Sequence, residues 1–278
     1  MSEGGDATAY GDGAAERGDA TACGDGATER GAREIEGGDG AIERGDGIIV
    51  RTVLDTGAAG RDGLIRRLVE VPPGSRCEAT AGPGGELWYV LRGRGLLATG
   101  AEPATALRAD AAAWLPPGTR YRLSAGTASS LRLDKVSLPP GTPVPRDAAV
   151  PEDRAVPGGA GMPRVSALAD CAVEVTGDRR FRVLFGPGRG CEAATQFVGE
   201  IPPGRAPPHS HAYDEMVLVL EGEGVLHAGP GGHPLSPGSC VHLPPGRLHC
   251  LENTGRGTLR VLGVFHPGGS PAAKTTAS

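Results

Sequence analysis

Long apolar runs, lysines and aromatic residues are all scarce in this 278-residue chain. No stretch approaches the roughly 18 consecutive apolar residues that a membrane-spanning helix needs. Lysine occurs only at Lys135 and Lys274, so arginine carries almost all of the positive charge. A net charge of −5 argues against a nucleic-acid partner. The first ten residues, MSEGGDATAY, hold neither a basic nor an apolar segment, so no secretory signal is expected. The six cysteines lack metal-knuckle spacing and are expected to be thiols of a cytoplasmic protein. Histidine is missing from the first 208 residues: all seven lie from His209 to His266.

Glycine and proline are abundant, at 47 and 25 residues, and they are unevenly used. Residues 1–47 repeat a Gly-Asp-Ala-Glu-Arg unit with almost nothing to bury, which predicts a disordered acidic tail. Six Asp and six Glu against four Arg give that tail a charge of −8, so the remainder is slightly basic. From Ile48 the pattern changes to short β-type runs such as LIRRLVEV and ELWYVL, punctuated by Gly and Pro turns. This predicts one domain over 48–138. Seven prolines between residues 139 and 163 mark a linker over 139–163, and further strands predict a second domain over 164–267. Residues 268–278 read as a disordered tail. Many short strands without a long helix indicate an all-β sandwich or barrel.

The two domains repeat one another. Val71-Pro-Pro-Gly74 matches Ile201-Pro-Pro-Gly204, Glu86-LWYVLRGRG matches Glu215-MVLVLEGEG, and Leu115-Pro-Pro-Gly118 matches Leu243-Pro-Pro-Gly246. The offsets of 130, 129 and 128 describe one duplicated β domain with single-residue slips.

The chemistry concentrates in the second repeat. His209 and His211 are two apart, which puts both imidazoles on one face of a strand. Glu215 opens the next apolar run, and His249 follows a Pro-Pro-Gly turn. Three imidazoles and a carboxylate suit Fe(II), Mn(II), Ni(II) or Zn(II), and four protein ligands on an octahedral ion leave two positions open. Asp214 is the alternative carboxylate. Arg205 and Tyr213 flank the ligands, as substrate-orienting or as solvated loop residues. Gln196 and His242 fall on strands near the pocket, with the face they use left open.

The spacing of these residues resembles the cupin superfamily. Gly204, His209, His211, Glu215 and Gly222 meet its first motif with one fewer residue before His209, and Gly238, Pro244, Gly246, His249 and Asn253 meet its second. The resemblance implies two tandem double-stranded β-helix (jelly-roll) barrels, a bicupin. It implies one divalent transition metal, Fe or Mn foremost with Zn or Ni as alternatives, held by His209, His211, Glu215 and His249. In the first repeat the corresponding positions are Thr80, Gly82 and Tyr121, so that barrel is expected to be metal-free. The implied function is a metal-dependent enzyme acting on a small organic substrate, foremost a dioxygenase-type oxidoreductase, with Glu215 as ligand or proton acceptor. A non-catalytic metal- and small-molecule-binding cupin, and a cupin decarboxylase or aminohydrolase, are the alternatives. Cupin barrels commonly pair through exposed sheets, which implies a homodimer with no membrane or nucleic-acid partner.

Overall fold

The short apolar runs fold as strands, and the Gly and Pro clusters between them fold as turns. The computed structural model describes residues 33–35, 42–45, 48–57, 63–100, 103–141, 164–229 and 231–272, all within the unit Gly31–Ser278. The first half contains β1 (Arg33–Ile35), β2 (Ile42–Gly45), β3 (Ile48–Asp55), β4 (Ile65–Val71), β5 (Arg76–Thr80) and β6 (Glu86–Arg92). It continues with β7 (Arg94–Thr99), β8 (Thr105–Arg108), β9 (Ala111–Leu115), β10 (Arg120–Ala125) and β11 (Leu131–Ser137). The second half begins with β12 (Arg164–Ala167), β13 (Glu174–Thr176), β14 (Arg179–Phe185), β15 (Thr195–Ile201) and β16 (Gly204–Arg205). It ends with β17 (Asp214–Glu221), β18 (Gly224–His227), β19 (His233–Leu235), β20 (Cys240–Leu243), β21 (Cys250–Asn253) and β22 (Leu259–His266).

Each half packs a seven-stranded sheet on a four-stranded one. The first barrel has the orders β12-β9-β6-β11-β4-β3-β2 and β5-β10-β7-β8, and the second has β1-β20-β17-β22-β15-β14-β13 and β16-β21-β18-β19. The two patterns correspond strand for strand. The fold is all-β, two tandem jelly-roll barrels, as the sequence indicates.

The central strands are apolar on both faces because both faces are buried. On β17, Val217 and Val219 enter the interior of the second barrel, while Met216 and Leu218 enter a core shared with the first. On β6, Trp88 and Val90 fill the first barrel, while Leu87 and Tyr89 join the shared core. Strict alternation explains why MVLVL and LWYVL carry no polar residue. The shared core also contains a fully buried ion pair, Arg66 Nε to Asp134 Oδ1 at 3.1 Å, and Arg66 Nη1 lies 3.7 Å from Cys240 Sγ.

The barrels exchange edge strands. β1 pairs with β20 of the second barrel and β12 pairs with β9 of the first. This corrects two expectations. Residues 33–35 and 42–45 form strands although they belong to the stretch expected to be disordered, and β12 lies beyond the linker yet completes the first barrel. An exposed edge offers unpaired N–H and C=O groups that any backbone can meet, so a polar segment can pair there without an apolar pattern. The expected C-terminal tail is likewise ordered over 268–272, where Gly268 N–H donates to Ala193 O at 3.0 Å. The rest of the expected acidic tail, the linker from residue 142 and residues 273–278 lie outside the described residues. No helix among the described residues is long and apolar enough to cross a membrane.

Candidate metal centre

His209 and His249 face each other as an isolated antiparallel bridge, each donating its backbone N–H to the other's carbonyl at 2.9 Å. That lock fixes the bases of two imidazoles before any side chain is placed. Gly246 then donates its N–H to His211 O at 2.7 Å, which ties the Pro-Pro-Gly turn to the third imidazole. Gly246 has φ +76°, a conformation that L residues with a Cβ rarely adopt, so the turn depends on glycine. Glu215 points inward because it shares the face of Val217 and Val219. Asn253, the last motif residue, is a staple: its Nδ2 donates to Ile201 O and Gly257 O, at 2.8 and 2.7 Å.

These constraints converge on one point. A nitrogen from each of His209, His211 and His249 lies within 4.8 Å of the others, and all three residues are buried. Glu215 Oε2 is 3.6 Å from His211 Nε2 and 3.4 Å from His249 Nε2. The Nδ1 atoms of His249 and His209 lie 2.8 and 3.2 Å from the carbonyls of Arg247 and Pro207. A ring N–H directed at a carbonyl leaves Nε2 with a free lone pair, the form that ligates metals. Glu215 Oε2 is buried and receives no hydrogen bond among the described residues. An unsatisfied buried carboxylate oxygen is costly, and a cation set between it and the three Nε2 atoms removes that cost. The residues present therefore fit a divalent transition metal.

The cluster opens into a cavity of about 70 Å³. Its wall is aromatic and aliphatic, and three of the chain's four phenylalanines, Phe181, Phe197 and Phe265, line it. Phe197 and Phe265 lie with centroids 4.8 Å apart. Gly263 is what admits them, because a Cβ there would collide with the Phe197 ring. Arg179 also lines the cavity, with Nη2 donating to Leu251 O at 2.8 Å. Burial lowers its pKa, opposed by the charges of Asp178, Cys250 and Glu215.

The other residues singled out by sequence are elsewhere. Gln196 is fully buried, but it alternates with the cavity residue Phe197 and shares the face of Val198, which belongs to the shared core. His242 lies on the face of Cys240 and pairs with Asp214, Nε2 to Oδ1 at 2.7 Å, which also removes Asp214 from the cluster. Arg205 is exposed and its Nε donates to Cys250 Sγ at 3.3 Å. Tyr213 stacks on His211 at 4.9 Å and donates its hydroxyl to Ser270 O at 3.0 Å, so it buttresses an imidazole from outside the cavity. Sequence reasoning missed Arg179 and the phenylalanine wall. Extending the repeat upstream would have found the arginine: the strand registers set Arg179 against Ile48.

Residues 197–265 match the family described as Cupin domain. Among curated relatives, auxin-binding protein T85 of Nicotiana tabacum is 34% identical over 64 residues, covering 19% of this chain and 34% of that protein. Auxin-binding protein T92 of the same plant is 35% identical over 72 residues, covering 22% and 38%. The chain thus spans little more than a third of the length of these relatives. Among solved structures, oxalate decarboxylase of Bacillus subtilis superposes with a TM-score of 0.69 at 13% identity, covering 90% of this chain and 80% of that one. Protein Ylba from E. coli gives 0.65 at 15% identity, covering 84% and 89%. Residues 197–265 thus match a cupin domain, and the chain has the two-barrel fold, with its histidine cluster in the second barrel.

Proposed function

We propose that this cupin binds one divalent transition metal through His209, His211, Glu215 and His249 and acts on a small organic molecule held in the adjoining cavity. The observation that carries this reading is the buried Glu215 Oε2, which lies within 3.6 Å of two imidazoles of the histidine cluster and receives no hydrogen bond among the described residues. When bound, the ion supplies Lewis acidity and, if redox-active, electron transfer to dioxygen. The chain's own part is to orient and to exclude water. The phenylalanine wall keeps the cavity dry and strengthens electrostatic contacts inside it. Glu215 either stays a ligand or accepts a proton from the bound molecule. Apart from the cluster, the cavity lining carries arginines but no further carboxylate, imidazole or thiol, which favours dioxygen chemistry over reactions that need a second proton donor.

A decarboxylase is the second reading, favoured by fold neighbours named oxalate decarboxylases. One experiment separates them: elemental analysis of untagged protein, followed by oxygen-electrode and carbon-dioxide measurements on a panel of small chelating acids. About one metal per chain and acid-dependent oxygen uptake are expected. Glu215→Gln should keep much of the metal and lose turnover by about 10²–10⁴-fold, the range for general acid–base work. Carbon dioxide release without oxygen uptake would select the decarboxylase. Absence of stoichiometric metal would overturn both.

A further inference from the structure

The cavity holds a cation with no assigned task. Arg179 enters it from β14, and among the described residues its guanidinium makes one hydrogen bond, to Leu251 O at 2.8 Å. Leu251 lies two residues after His249 on the same strand face, so the arginine is anchored to the strand segment that carries the third imidazole. Five donors serve one acceptor, and burial in an aromatic chamber depresses the basicity of the group. Arg180, its neighbour, is exposed at the rim.

The duplicated barrel supplies a control. Strand registers place Arg180 opposite Glu200 and Ile49 opposite Glu70, and these two glutamates are one repeat apart, so Arg179 corresponds to Ile48. Ile48 packs against the first barrel's core. The barrel that lacks the histidines also lacks the arginine, which ties the cation to the histidine site and not to the fold.

We infer that Arg179 is the anion anchor of this cavity and that the molecule it holds is a small organic acid with an apolar body. The carboxylate pairs with the guanidinium, and the body lies against Phe181, Phe197 and Phe265. A partly open cavity of about 70 Å³ has room for an apolar body of a few carbon atoms. The inference deepens the metal reading above by naming the substrate class, and it rests on the same site.

Isobutyrate and its neutral isostere isobutyramide are suitable probes, titrated by ligand-observed NMR against metal-loaded and chelator-stripped protein. In the stripped protein, where no ion competes for the carboxylate, isobutyrate should bind more tightly than isobutyramide. Arg179→Gln should weaken isobutyrate about 10–100-fold, the range for a charge-assisted hydrogen bond, and leave isobutyramide within about twofold. Arg179→Lys, which keeps the charge and guards against a folding defect, should recover part of the loss. Metal content should be the same in all three proteins. Equal weakening of both probes, or no preference for isobutyrate in stripped wild type, would overturn the anchor. If the wild type takes up no metal while Arg179 still selects isobutyrate, the metal reading fails and the anchor stands.

Discussion

The two barrels put the same glutamate in the same place and answer it differently. In the first, Glu86 accepts from Trp88 Nε1 at 3.0 Å and from Lys135 Nζ at 3.2 Å. In the second, Glu215 lies beside the imidazoles of His211 and His249 with one oxygen unsatisfied. Registers make Lys135 the counterpart of Gly263 and Trp88 the counterpart of Val217. The first barrel thus carries its own cation, and Trp88 packs edge-on to Tyr121 at 4.7 Å where the second barrel has Val217 and His249. The wall differs too: Phe197 and Phe265 stand where the first barrel has Arg67 and Ser137, joined by a 3.2 Å hydrogen bond. One scaffold is plugged by a lysine and two aromatic rings, and the other is hollowed by glycine at 263 and lined to receive a cation and an apolar guest.

The largest effects should come from asking each barrel to lose its third-ligand position. His249→Ala should weaken metal binding by more than about 100-fold, beyond the roughly 10–100-fold that outer-shell changes cost. Tyr121→Ala should leave metal content near one per chain. Titration with a divalent ion against a competing chelator reads both, and two ions per wild-type chain would break the contrast.

Next in size is a pair of substitutions expected to act in opposite directions. Lys135→Met strands a buried carboxylate, and because Glu86 keeps its Trp88 donor the loss should be about 3 kcal/mol, the low end for breaking a buried pair. In chelator-treated protein Glu215→Gln removes a buried carboxylate whose Oε2 receives no hydrogen bond among the described residues, and stability should hold or rise by about 1–2 kcal/mol. Urea unfolding measures both. A comparable loss from Glu215→Gln would show that Glu215 is satisfied without metal.

Much of this contrast was legible in the sequence. Duplication was visible because the Pro-Pro-Gly turns and motif glycines recur at near-constant offset, and those positions demand their residues: Gly222 sits at φ +84°, where a Cβ would meet Thr258 O at 2.7 Å. The histidine cluster was legible from its motif spacing, although His209 and His211 lie not on the strand expected for them but on an extended segment between β16 and β17 that an isolated bridge ties to His249. Gln196 and His242 were harder, since a face is decided only when the register is known to a single residue. Arg179 lies 30 residues before His209 and reaches the site through sheet pairing alone. The exchanged strands left no side-chain signature, because an edge is recognised by backbone groups.

The shared core should respond to pH. Burial raises the Asp134 carboxyl to about 6 from its ordinary 3.8, with Arg66 acting against the shift. A carboxyl whose folded pKa is raised holds its proton longer when folded, so this group's contribution falls as pH rises from about 4 through 6. The full shift corresponds to about 3 kcal/mol, and relaxation of the buried pair should reduce that to about 1–3. Replacing both partners, Arg66→Met with Asp134→Leu, should be neutral or stabilising at pH 7 and should abolish this slope. The discriminating quantity is the difference between wild-type and double-variant stability across pH 4–7. Because the pair sits between the barrels, both should lose stability together; a slope confined to one barrel would contradict a shared core.

The smallest expected effect tests the reciprocity of the strand exchange. β1 covers the β20 edge of the second barrel and β12 covers the β9 edge of the first, so the two caps can be removed separately. Deleting residues 1–30 removes only low-complexity sequence ahead of β1 and should change stability by less than about 0.5 kcal/mol. Deleting residues 1–36 also removes the three-residue pairing Arg33–His242, Glu34–Val241 and Ile35–Cys240. The added cost should be about 1 kcal/mol, since a few edge hydrogen bonds exchanged for water contribute about that much in net terms. Location distinguishes the cause better than size. Amide exchange should quicken along β20 and stay unchanged along β9, whose cap comes from residues 164–167. Equal quickening in both strands would mean that the deletion loosens the shared core, and the barrels would then not be capped independently.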